Sequence, residues 1–234
     1  MALPKLNTPT YELELPSTGL PIKYRPFLVK EQKLLLMAQE TGEEQDIARA
    51  MGELVHSCTF GKIDSKIAAL FDIEFLFLRI RGKSVGDTIN LSLTCPDDNK
   101  TKVDYKLNLE DVSVNMLDDH TNEITLTDDV KIIFRYPILT DMHGEAGGSS
   151  ISGVFKLMTS CISEIHYSDD VYTRADMTDK DVDEFIDQLT GEQFEKITKF
   201  FNSMPKLRHA VNVTNPKTKK KSEIVLEGLQ SFLV

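Results

Sequence analysis

Gly82-Lys83-Ser84 matches the end of a phosphate-binding loop, in which backbone amides cradle phosphate and the lysine and hydroxyl reach phosphate and magnesium. That loop needs a glycine five residues before Gly82, where this chain has Phe77. It must also lie between a strand and a following helix, so that free amides point at the phosphate. Here an apolar run precedes the motif and an alternating run follows it. The order is therefore helix, then strand, with Gly82 as a helix-ending glycine among basic residues that suit a helix C-terminus. Asp179-Lys180-Asp181-Val182-Asp183-Glu184 begins like a calcium loop. Its sixth position is Glu184 instead of glycine, and its twelfth is Thr190 instead of glutamate. An acidic first turn, favoured by the helix dipole, accounts for it.

The histidines are His56, His120, His143, His166 and His209, and no His-Glu-x-x-His is present. Cys95 stands at a turn where a second cysteine a few residues on would make half a zinc ribbon, but Pro96, Asp97 and Asp98 follow instead. Zinc on Cys58, Cys95 and a histidine is an incomplete ligand set. There is no Gly-x-Ser-x-Gly elbow, and the cysteines and histidines fall in no dyad spacing. The sequence predicts no catalytic residue, no metal site and no cofactor.

A net charge of −10 over 234 residues disfavours nucleic-acid and anionic-membrane binding, which need a cationic surface. Three widely spaced cysteines, Cys58, Cys95 and Cys161, suit reduced thiols better than a disulfide framework. The opening Met1-Ala2-Leu3-Pro4-Lys5 has no signal-peptide pattern. The longest apolar stretch, near Phe71 to Ile80, is broken by Asp72, Glu74 and Arg79 and is too short to span a bilayer. Lys217, Lys219, Lys220 and Lys221 cluster at one turn, as a solvated tip that keeps an edge soluble or as a contact for an acidic neighbour.

Period-two alternation predicts strands at 10–16 and 21–27, an N-terminal hairpin about Ser17-Thr18-Gly19. Helices are expected at 28–40, after a Thr41–Glu44 capping box, after Asp64, and at 72–81 ending at Gly82. Strand pairs follow at 87–94 with 102–109, and at 124–126 with 130–134. A helix at 151–160, strands at 161–167 and 171–174, and two capping boxes (Thr178 to Asp181, Thr190 to Gln193) come next. A hairpin about Asn215-Pro216 closes the chain. The fold class expected is α+β. The expected organisation is an N-terminal region 1–142, a flexible Gly/Ser loop 143–150 and a C-terminal region 151–234, or else one continuous domain.

Pro4-Lys5-Leu6, the run from Tyr24 to Leu36, and Phe77-Leu78-Arg79-Ile80-Arg81-Gly82-Lys83-Ser84-Val85-Gly86 carry a resemblance over most of residues 1–110 and more loosely beyond. On these runs the chain resembles the baseplate hub subunit and hub assembly protein family of T4-type contractile-tailed bacteriophages. The resemblance implies a non-enzymatic protein whose partners are other phage baseplate hub proteins, found in the tail baseplate of the virion or in the host cytoplasm during assembly. It transfers no binding residue.

Two alternatives remain open on the sequence. One is a transient hub assembly chaperone not retained in the virion. The other is an enzyme with a composite carboxylate or zinc site, recognisable by clustered Asp, Glu, His or Cys in a deep pocket. An exposed apolar patch favours interaction instead, and the N-terminal hairpin with Leu229, Phe232, Leu233 and Val234 is expected to contribute to one.

Overall fold

The computed structural model describes residues 6–142 and 150–232. In chain order the chain forms β1 (Tyr11–Glu14), β2 (Pro21–Tyr24), α1 (Val29–Thr41), α2 (Glu44–Cys58) and α3 (Leu70–Val85). Strands β3 (Thr88–Thr94), β4 (Lys102–Asn108), β5 (Ser113–Asn115), β6 (Glu123–Thr125) and β7 (Val130–Phe134) follow. Then come α4 (Ile151–Ser160), β8 (Ile162–Tyr167), β9 (Asp170–Thr173), α5 (Asp179–Asp187) and α6 (Gly191–Ser203). Strands β10 (Lys206–Thr214) and β11 (Lys221–Glu227) and a 3-10 turn (Leu229–Phe232) end the described chain. The fold class is α+β, with the strands in small antiparallel sheets.

Two units emerge, residues 1–115 with 206–234, and residues 116–205. This differs from the division expected at 143–150. Strand β7, before that segment, pairs with β8, after it, so the segment connects two strands of one sheet. Residues 143–149 themselves lie outside the described residues.

In the first unit α3 is apolar on nearly every side and is buried accordingly. Phe71, Ile73, Leu76, Phe77, Leu78 and Ile80 are all in the core. Each such side chain contributes about 1.5–3 kcal/mol relative to exposure. Against α3 lie α2, strand β10 and the C-terminal turn. Strands β3 and β4 pair in the register Thr88↔Asn108 to Thr94↔Lys102, with Ile89, Leu91 and Leu93 facing inward. β10 is flanked by β11 and by the three-residue β5, which the sequence pattern missed because so short a run carries no period.

Helix ends correct several expectations. Thr41 is the last residue of α1 and its hydroxyl bonds back to Ala38 O, so it does not cap α2, whose N-cap is Glu43. After Asp64 the chain makes one turn and no helix, with the Asp64 carboxylate accepting from Lys66 N–H. Helix α3 does not stop at Gly82. It continues to Val85 and ends at Gly86, at φ +118° and ψ 143°. Gly86→Ala forces a side chain into a backbone region that only glycine occupies readily, with open space around it. Urea unfolding should show a loss of about 1–3 kcal/mol.

The second unit is a four-stranded sheet in the order β6-β7-β8-β9, covered by helices. Ile132, Phe134, Ile162, Val182, Ile197 and Phe200 form its core. The rings of Phe134 and Phe200 stack at 4.9 Å, and Phe201 meets Phe200 edge-on at 5.0 Å. Both capping boxes form as the sequence predicts. Thr178 and Asp181 cap α5, and Thr190 and Gln193 cap α6. Each such cap stabilises its helix by about 1 kcal/mol.

Candidate functional site

Two of the runs that carry the family resemblance, Tyr24 to Leu36 and Phe77 to Gly86, meet in the first unit. Arg25, just past β2, donates to Glu31 at 2.8 Å, to Pro26 O and to Ser57, tying the hairpin to α1 and α2. Glu31 is 5% exposed at its side chain and also accepts from Ser57 Oγ and from Leu28 N–H. Burial pushes its carboxyl up, but the bonds from Arg25, Leu28 and Ser57 outweigh that and hold it at about 2. At the other side of the hairpin, Ser17 N–H bonds the buried Asp72 of α3, and Phe27 N–H bonds Ser84 Oγ.

Arg79 donates to Leu109 O and Val112 O, both at 2.7 Å, and lies over the Phe75 ring at 4.7 Å. One helical turn on, Lys83 pairs with Glu110 and Asp87 and lies over the Tyr11 ring at 5.5 Å. Gly82 is buried between these residues. A Cβ there would stand 2.7 Å from the Asp87 carboxylate, so glycine allows the chain to turn back closely against the helix. Together with Tyr11, Leu13 and Tyr24 of the hairpin, these residues line a cleft of about 320 Å³.

Above this frame α1 buries only Glu31 and Ala38. Val29 is 79% exposed, Leu36 52% and Met37 57%. At a spacing of seven and eight residues the three lie along one side of the helix. Leu20, at the tip of the hairpin, is also exposed. Leu229 and Phe232, expected to help form an exposed apolar patch, are instead buried in their own unit against α3 and β11. Leu233 and Val234 lie outside the described residues, as does Pro4-Lys5 of the resemblance.

Among the described residues, the groups weighed in the sequence for chemistry are placed as follows. Gly82-Lys83-Ser84 lies inside α3, where its amides serve the helix, and Ser84 Oγ donates to Ile80 O. Asp181 caps α5, and Asp179 pairs with Arg174. Cys58, Cys95 and Cys161 are buried and free, and burial pushes the Cys58 thiol to about 11 and that of Cys161 to about 12. His56 bonds Ile63 O, His166 bonds Glu164, and His209 bonds Asp111 O. His120 bonds Ser203 Oγ and stacks on Phe200, while its Nε2 has no partner among the described residues. His143 lies outside the described residues. No group of three or more described His, Cys, Asp or Glu side chains is placed to hold a metal ion. Lys217, Lys219, Lys220 and Lys221 are exposed at the β10–β11 turn. That turn is held by Asn215 Nδ2 donating to Asp97 at 2.9 Å.

In the second unit a groove of about 570 Å³ lies between α4 and α5. Phe155, Lys156 and Arg174 line it together with Asp179, Asp183 and Asp187. Its walls mix both charges. No described helix is long and apolar enough to cross a membrane.

Comparison with curated proteins and with solved structures returns no match. A family model, described as T4 bacteriophage base plate protein, matches residues 8–234. The match runs through both units and includes every element described above, so the chain belongs to the T4 bacteriophage base plate protein family.

Proposed function

We propose that this chain is a non-enzymatic component of the phage tail baseplate hub, acting in baseplate and tail assembly through contacts with other hub proteins. The observation that carries this reading, beside the family, is α1. It exposes Val29, Leu36 and Met37, while only Glu31 and Ala38 of the helix are fully buried. Apolar residues gathered on one side of a helix are the kind of surface that a protein partner covers. The net charge of −10 supports protein partners over nucleic acid or anionic membrane. The buried, high-pKa thiols supply no activated nucleophile, which supports a role without catalysis.

Quantitative mass spectrometry of purified particles against infected-cell lysate tests the proposal. A retained hub subunit is expected in the particle at fixed stoichiometry. Abundance in lysate with absence from particles overturns it in favour of a transient assembly factor. Leu36→Glu, with Val29→Glu as a second variant, should lower incorporation while the purified protein keeps its unfolding midpoint.

A further inference from the structure

We infer that the outer edge of β1 is a strand-docking site, which takes an extended segment of another polypeptide alternating apolar and basic residues. The inference deepens the proposed assembly role and rests on it.

Among the described residues the sheet formed by β1 and β2 has two strands. A lone two-stranded hairpin is marginal, and its unpaired edges are templates for another strand. Hydrogen bonding in the hairpin settles which groups are free. Leu15 N–H bonds Leu20 O at 2.9 Å. Bonded and non-bonded pairs alternate along an antiparallel ladder. The pair Glu14↔Pro21 is therefore non-bonded, which agrees with a proline that has no N–H to give. Leu13↔Ile22 and Tyr11↔Tyr24 are the bonded pairs, and the N–H and C=O of Glu12 and Glu14 point away from β2. Neither of these amides donates to any described residue.

The cleft described above adjoins this edge. Three consecutive β1 residues, Tyr11, Glu12 and Leu13, line it together with Arg79 and Lys83 of α3. A strand added to β1 lies about 4.8 Å from it, over the cleft. Its side chains on the α3 face meet the partly exposed Tyr11 and Leu13 of β1, which suit aliphatic or aromatic groups, in a space that Arg79, Lys83, Asp87 and Glu110 also line. Its side chains on the other face stand beside Glu12 and Glu14, both exposed on the solvent side of β1. Opposite charges at cross-strand positions stabilise pairing and like charges oppose it, so basic residues fit there. Main-chain bonds supply affinity in this mode, and alternate side-chain pockets supply the choice of partner.

The test titrates the full-length protein with an acetylated Lys-Val-Lys-Leu-Lys-Val amide, following amide hydrogen exchange by NMR. At peptide concentrations ten times Kd, exchange of the Glu12 and Glu14 amides should slow about ten-fold, with Lys23 unchanged. A peptide with Glu for Lys, or one N-methylated at alternate residues, should give no protection. Glu12→Pro removes an outward donor without removing a β1–β2 bond, since proline is tolerated on an edge. It should abolish Glu14 protection while leaving the unfolding midpoint within a few degrees. Unchanged exchange at Glu12 and Glu14, or equal protection by the Glu-containing peptide, overturns the proposal. In infected cells, photo-cross-linking residues placed at Glu12 and Glu14 should join the chain to an alternating apolar and basic segment of another phage protein. If cross-linkers at Val29 and Leu36 capture phage proteins and those at Glu12 and Glu14 do not, the edge proposal fails and the assembly role stands. If none of the four does, and particles lack the chain, the assembly role fails as well.

Discussion

Arg25→Ala is expected to lower the unfolding free energy by about 3 kcal/mol at pH 7, because it leaves the Glu31 carboxylate buried without its guanidinium. Ser57 Oγ and Leu28 N–H would still donate to Glu31, and Lys30 Nζ lies 3.3 Å away, but Lys30 is an exposed side chain with solvent to compete for it. The loss should shrink when both partners are changed. Arg25→Met with Glu31→Gln removes the charge as well as its partner, and Gln can still accept one of the remaining bonds. The pH dependence follows from Glu31 being held at about 2 in the fold against an ordinary 4.5. A depressed carboxyl contributes stability that is fully present above 4.5 and is lost as pH falls toward about 2. The wild type should therefore lose stability across that window, and Arg25→Ala should lose much less. Urea unfolding at pH 7 and pH 3 checks both statements. A loss below about 1 kcal/mol at pH 7 would show that Lys30 takes over the pairing.

Glu74→Gln should act in the opposite direction and stabilise the protein at alkaline pH. Glu74 lies on α3 under the C-terminal turn, where it accepts a hydrogen bond from Leu229 N–H at 3.4 Å. Burial raises its carboxyl to about 7, and the Leu229 bond only partly opposes this. A carboxyl raised from 4.5 to about 7 makes the folded state the better proton binder. Its contribution is present below 4.5 and is lost as pH rises through 7. Glutamine keeps the acceptor and never ionises. The variant should match the wild type at pH 4 and exceed it by about 2 kcal/mol at pH 8. Denaturant titrations at the two pH values check this. A wild type whose stability does not decline between pH 5 and pH 8 would show that Glu74 is solvated when it ionises.

Much of the local structure could be read from short sequence patterns, because those patterns carry their own physics. Alternation at 87–94 and 102–109 places one face of β3–β4 inward without reference to anything distant. Thr178 with Asp181 and Thr190 with Gln193 close their bonds within one turn, so the threonine and its partner suffice to locate the start of a helix. Thr41 and Gly82 misled for a related reason. A capping residue and a helix-ending glycine have other uses when a neighbour claims them. Thr41 completes the helix before it, and Gly82 admits Asp87, so each helix boundary depended on a contact that the local pattern does not contain.

By itself the sequence determined the α+β class, most of the hairpins and helices, and the absence of any complete catalytic or metal-binding motif, since each of these rests on residues close together in the chain. Only the tertiary structure decided the division into units, because β5 joins β10 across ninety residues and β7 joins β8 across a stretch that includes the Gly/Ser-rich segment whose composition reads as a linker. It also decided that Leu229 and Phe232 belong to the core while Val29, Leu36 and Met37 do not. Composition cannot make that choice, because an apolar side chain gains the same transfer free energy wherever it is buried, and only packing partners distant in sequence determine which of them are.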